Sequence, residues 1–165
     1  MPNIQRITPF FWFDTEAEEA AKFYTSIFKN SQITTVTRYS EAGREVHGKQ
    51  PGTALTVGFL LDGQHFTALN GGPQFKFGEA VSFVVHCETQ EEVDYYWEKL
   101  GAGGDSKAQQ CGWLKDKFGL AWQIVPDAMI KMLTDPDKAK SGRVMQALMQ
   151  MKKLDLAALE RAYAG

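Results

Sequence analysis

Three histidines, two cysteines and twenty acidic residues are the side chains of this 165-residue chain with the most direct access to metal, acid–base or nucleophilic chemistry. Their spacing does not assemble a site. His47 falls in a polar stretch, His65 beside a turn and His86 at the end of an apolar run, and no two stand at the close helical or strand spacing that presents a pair of imidazoles to one ion. Cys87 and Cys111 sit at no metal-ligand spacing and in a reducing compartment remain thiols. No nucleophile stands beside a general base, so no covalent mechanism is read from the chain. Glu18-Glu19 and Glu91-Glu92 open helices, where negative charge offsets the helix dipole. Asn70-Gly71-Gly72-Pro73 can offer backbone amides to an anion, yet no helix follows it directly as a phosphate loop requires. Gly101 to Gly104 follows a helix and not a strand, which suits a helix end better than a dinucleotide or S-adenosylmethionine loop. Of the four tryptophans, Trp97 falls on the apolar face of a helix and reads as core, whereas Trp12, Trp113 and Trp122 lie in strands and either line an apolar pocket or simply pack.

These residues need a scaffold, and the chain spells one out twice. Glu18-Glu19-Ala20-Ala21-Lys22-Phe23-Tyr24-Thr25-Ser26-Ile27 is echoed by Glu91-Glu92-Val93-Asp94-Tyr95-Tyr96-Trp97-Glu98-Lys99-Leu100, each behind an apolar run, Ile7 to Phe13 and Ala80 to Cys87. Repetition of this kind marks one supersecondary unit used twice. Ala17, Ala20, Ala21, Tyr24, Ile27 and Phe28 recur at three- and four-residue steps and predict an amphipathic helix ending near Asn30. Ile33 to Tyr39 predicts a strand, Ser40 to Gly52 a long loop suited to a flexible lid, and Leu55 to Leu61 with Gln64 to Asn70 a hairpin closed at Asp62-Gly63. The first copy therefore reads β-α-β-β-β. The second keeps that order in shortened form: a strand to Cys87, a helix from Gln90 to Leu100, then strands over Lys107 to Leu114 and Gly119 to Val125 joined by a turn at Lys115 to Phe118. Beyond Pro126 the pattern turns helical, with Asp127, Asp135-Pro136 and Asp155 as helix starts, and Met129, Met132, Met145, Met149 and Met151 are five of the chain's six methionines. Flexible thioethers suit either packing onto the same chain or a contact between two copies.

At 44% hydrophobic and 12% aromatic the chain can bury a substantial interior. A net charge of −2 with scattered Lys and Arg gives no basic surface for a phosphate backbone, which argues against nucleic acid. No apolar run approaches the length of a membrane span, and Met1 to Arg6 lacks the layout of a signal peptide, so the expected location is the cytoplasm with no membrane partner.

Two such modules resemble the vicinal oxygen chelate superfamily of glyoxalase I, extradiol dioxygenases and bleomycin-resistance proteins. Thr8-Pro9-Phe10-Phe11-Trp12-Phe13-Asp14, Leu69-Asn70-Gly71-Gly72-Pro73, and Cys111-Gly112-Trp113-Leu114-Lys115-Asp116-Lys117-Phe118-Gly119 with Trp122-Gln123 are similar to its PhnB-like branch, often labelled 3-demethylubiquinone-9 3-methyltransferase-like. The similarity is read from about Ile7 to the end, tail included. It implies an α+β fold in which residues 1–74 and 75–126 are βαβββ modules forming a glyoxalase/bleomycin-resistance-type half-barrel within one structural domain, and 127–165 a C-terminal helical tail. Metal-dependent members carry His or Glu on four strands; the corresponding positions here are Phe10 or Pro9, Asn70, Ser82 and Gln123, so the resemblance implies no metal and no cofactor. Asn70 and Gln123 become either the polar points of a ligand pocket or the partners of buried backbone groups. The ligand-binding candidates are Trp12, Asn70, Ser82, Trp113, Trp122 and Gln123, the ligand is a small molecule, and a homodimer is the expected assembly. Ligand sequestration of the bleomycin-resistance type, an interaction module built on the Met-rich tail, and the labelled methyltransferase activity are the competing readings. The last lacks a strand–glycine loop–helix to hold its cofactor.

Overall fold

A computed structural model describes residues 4–165, so Met1 to Asn3 of the leader comparison lie outside the described residues. The chain forms two compact units, the first ending at Lys76 and the second running from Phe77 to Gly165. The class is α+β with a helical tail, as expected, but the second sheet has three strands where a full βαβββ copy would have four.

In the first unit β1 (Phe10–Phe13), β2 (Gln32–Arg38), β3 (Ala54–Leu61) and β4 (Gln64–Asn70) make sheet A in the order β1-β4-β3-β2, with β1 parallel to β4. Helix α1 (Ala17–Ile27) buries Ala17, Ala20, Ala21, Tyr24 and Ile27, the face its periodicity draws. Tyr24 stacks on Phe59 at 6.3 Å, and Phe11 and Phe66 close the same cluster, all of it on one face of the sheet. Each such buried side chain contributes about 1.5–3 kcal/mol of transfer free energy. Phe28 is extended and ends the helix. Between β3 and β4, Asp62 and Gly63 take φ of 46° and 77°, the two left-handed residues that a two-residue hairpin of matching twist demands. Cross-strand register puts Phe10, Thr67, Gly58 and Thr35 in one row on the opposite, open face, with Trp12, Leu69, Thr56 and Thr37 in the next. The expected lid is not a free loop. It contains a short helix α2 (Arg44–His47), and Tyr39 N–H to Thr53 O (2.9 Å) and Gly52 N–H to Tyr39 O (2.8 Å) tie its ends together.

In the second unit β5 (Ser82–Cys87), β6 (Trp113–Lys115) and β7 (Ala121–Pro126) make sheet B in the order β5-β7-β6, with helix α3 (Gln90–Gly101) between β5 and β6. The strand expected over Lys107 to Leu114 is broken. Asp105 Oδ1 accepts from Lys107 N–H and winds Ser106–Ala108 into a 3-10 turn. Cys111 and Gly112 then take φ of 51° and 82° and reverse the chain, so that Gln110 bridges Trp113 across a tight turn. The tail consists of α4 (Asp127–Leu133), α5 (Lys138–Leu148) and α6 (Leu156–Ala164). Met129, Met132, Val144, Leu148, Leu154 and Leu159 pack with Val125 of β7 into a core, while Met145 and Met149 remain exposed. Asp155 caps α6 through Ala158 N–H as its position predicts, but two expected starts shift. Asp127 is the first helical residue and gives its carboxylate to His86, and the cap of α5 is Asp137, which accepts from Ala139 N–H and Lys140 N–H. Asp135 instead holds Asp137 N–H and the Tyr163 hydroxyl.

Candidate functional site

Alternation along β5, β6 and β7 sorts the candidate residues onto two faces of sheet B. Leu114 lies beside α3, where a Cβ added at Gly101 would come within 3.7 Å of it, and its register neighbours Trp122 and Phe83 share that side. Ser82, Val84, Gln123 and Trp113 therefore occupy the face turned away from α3, Gln123 standing between Val84 and Trp113 in one row. Gln123 Nε2 donates to Ser82 Oγ at 2.9 Å. That bond leaves the Gln123 carbonyl as an acceptor and the Ser82 hydroxyl proton as a donor, side by side. Trp113 is half-buried and Val84 is 44% exposed, so the polar pair is bordered by an indole and an aliphatic side chain.

Trp122 does not join this group. It is 2% exposed and its Nε1 donates to Asp116 Oδ2 at 2.9 Å. Asp116, also 2% exposed, accepts in addition from Phe118 N–H (2.8 Å) and Leu120 N–H (3.1 Å), so one buried carboxylate shapes the turn into β7 and fixes the indole. Sequence reading passed over Asp116, although an Asp two residues before Phe118 and three before Gly119 carries the pattern of a side chain bonding its own turn.

In the first unit Trp12 stands on the open face of sheet A but is occupied by its own chain. Its Nε1 donates to Gly72 O (2.9 Å), Phe75 meets it edge-on at 4.9 Å, and a Cβ on Gly71 would fall 2.3 Å from the indole. The segment Asn70 to Pro73 is thus a crossover turn whose glycine admits a tryptophan. Asn70 lies on the α1 side, 8% exposed, with Oδ1 accepting from Ala17 N–H (2.8 Å) and Nδ2 donating to Ala54 O (3.0 Å). Of the two roles open to it, its amide performs the partnering of buried backbone groups. Trp97 is half-buried, at the margin of the core expected to enclose it.

The donor sets test the groups that the resemblance brings with it. Phe10 offers no donor, the Asn70 amide is spent on backbone, and Ser82 and Gln123 offer only a neutral hydroxyl and a neutral amide; a divalent transition ion does not fit them. Among the described residues no three His, Cys, Asp or Glu side chains converge. His47 is held by Lys49 N–H and the Tyr39 ring, and His86 by Asp127. Burial pushes the Cys87 thiol up to about 12, with Glu92 and Asp127 adding negative charge, so it stays protonated and inert. S-adenosylmethionine fits no better: Gly101 ends α3, Gly71 and Gly72 lead out of β4, and neither lies between a parallel strand and a helix N-terminus.

A family model described as 3-demethylubiquinone-9 3-methyltransferase matches residues 5–125. The match stops before α4, so the tail that was read as part of the resemblance falls outside it. The solved PhnB protein from Bacillus cereus is 36% identical, with a TM-score of 0.64 over 74% of this chain and 99% of its own. The genomically encoded fosfomycin resistance protein FosX from Listeria monocytogenes, 15% identical, shares the fold with a TM-score of 0.51 over 82% of this chain and 99% of its own. No protein of curated function matches. No helix among the described residues is long and apolar enough to cross a membrane.

Proposed function

The chain belongs to the PhnB-like family described as 3-demethylubiquinone-9 3-methyltransferase, within the vicinal oxygen chelate superfamily, and on that premise we propose that it is a cytoplasmic, homodimeric small-molecule-binding protein that acts without a bound transition metal. The ligand surface is the face of sheet B that carries Ser82, Val84, Trp113 and Gln123. One observation carries the reading: an unspent acceptor on Gln123 and an unspent donor on Ser82 lie together between an indole and a valine. A hydroxylated aromatic ring fits such a group, its flat body against Trp113, its O–H donating to Gln123 Oε1 and its oxygen accepting from Ser82. Binding is favoured over catalysis because the Ser82 hydroxyl is partnered by an amide and not by a base able to activate it. The exposed Met145 and Met149 on and just beyond α5 support the second copy as partner.

Titration calorimetry with a panel of small phenols and quinones tests the reading, together with S-adenosylmethionine. At least one aromatic should bind saturably, and Gln123→Ala should weaken it about tenfold, the loss of one hydrogen bond of roughly 1–1.5 kcal/mol. Affinity untouched by both Gln123→Ala and Trp113→Ala, or micromolar binding of S-adenosylmethionine, would discard it.

A further inference from the structure

We propose that the first unit holds a separate binding site for a small zwitterion, of amino-acid to dipeptide size, in the cavity between the start of α1, the end of β2 and the segment 48–54. The cavity encloses about 490 Å³, within the range of small-ligand pockets, and both charge signs line it: Asp14 and Glu18, Arg38 and Lys49. It does not belong to the open face of sheet A, since it reaches the buried Ala54 and Asn70 on the α1 side.

The walls are built without help from a guest. Asn70 joins Ala17 N–H to Ala54 O, and the Tyr39 hydroxyl donates to Asn70 O at 2.7 Å. Arg38 Nη1 donates to Gly52 O at 3.1 Å, which fixes the far segment against β2. Arg38 also approaches Glu18 to 3.9 Å, so these two charges partly satisfy one another. Asp14 and Lys49 differ. Among the described residues neither side chain has an ion pair or a hydrogen bond, and both border the same cavity. One anion and one cation left over beside a pre-built cavity suit a guest bearing one of each. A guest with a carboxylate alone is repelled by Asp14 and Glu18 as well as drawn by Arg38 and Lys49, and an amine alone meets the converse.

Calorimetry on the full chain with the twenty free amino acids and glycylglycine, against acetate and methylamine, decides the matter. At least one amino acid or the dipeptide should bind saturably, with acetate and methylamine at least tenfold weaker. Lys49→Gln and Asp14→Asn should each weaken that binding about tenfold, and Glu160→Gln on α6 should leave it unchanged. Asp14 and Lys49 hold nothing else by their side chains, so both variants should keep the wild-type circular dichroism. No saturable heat from any zwitterion, equal affinity for acetate or methylamine, or binding that survives both variants overturns the proposal. None of these outcomes bears on the aromatic-ligand face of sheet B.

Discussion

The two repeat helices start with help from different places. Helix α3 is capped by its own neighbourhood: Thr89 accepts from Glu92 N–H at 3.3 Å, and Glu92 returns its carboxylate to Glu88 N–H at 2.7 Å. This is close to a capping box, with the return bond made one residue further out. At α1 the cap position is Glu16, whose side chain makes no cap bond to the helix. The Ala17 N–H is taken instead by Asn70, at the far end of β4. The last residue of β7, in the matching place opposite Cys87, is Pro126, which has no side-chain acceptor to offer. One copy solves its helix start locally and the other through a residue 53 positions away, so the same secondary structure rests on unlike supports.

Replacing the remote support should cost the most. Asn70→Ala leaves Ala17 N–H and Ala54 O without partners in a buried setting, and two orphaned groups of this kind cost about 2–4 kcal/mol together. For a chain of this size that lowers the melting temperature by about 5–12 °C, measurable by calorimetry. A fall below about 2 °C would show that water or a backbone shift replaces the amide, and the contrast between the copies would lose its energetic content.

The local support should be worth less. Thr89→Ala removes one cap bond at an exposed helix start, about 1 kcal/mol, while Glu92 continues to hold Glu88 N–H. Thr89→Ser should restore most of the loss, because the hydroxyl is the group that accepts. If Thr89→Ala proves as costly as Asn70→Ala, the two helix starts are energetically equivalent despite their unlike supports.

This difference also marks what the sequence made legible. The face of α1, the Asp62-Gly63 hairpin, the Asp155 cap and the position of Gln123 and Trp113 in strands all follow from patterns a few residues long, and all stand in the structure. The role of Asn70 is not legible in the sequence, because only tertiary pairing decides whether a strand-end amide meets a ligand or a helix. Asp127 and Asp135 sit where capping rules place a helix start, but tertiary partners, His86 and Tyr163, draw both carboxylates away. The break at Cys111-Gly112 escaped because a left-handed cysteine is uncommon and the surrounding residues favour a strand. Ser82 and Gln123 were placed by resemblance, and their mutual hydrogen bond required the register of β5 on β7.

The smallest expected effect concerns a support that only the second copy has. Helix α3 is bound to the tail by Gln90, which donates to Leu154 O and accepts from Leu156 N–H, and by Lys153 against Asp94 at 2.5 Å. The hydrogen bond from Lys153, then that from Gln90, holds the Asp94 carboxyl below its ordinary value. A carboxylate whose folded-state pKa is depressed adds stability above its unfolded value, about 4, and that contribution is lost as pH falls through the folded value. Both side chains are nearly half exposed, so screening keeps the pair within the range of surface ion pairs, under about 1 kcal/mol. Asp94→Asn should therefore melt slightly below wild type at pH 7, by about 1–3 °C, and the gap should shrink steadily as the pH is lowered through the folded-state value of Asp94. A gap that stays constant over the whole acid range would mean that Asp94 acts through its hydrogen bond with Gln90 and not through charge, and the tail would then be fastened to α3 by neutral bonds alone.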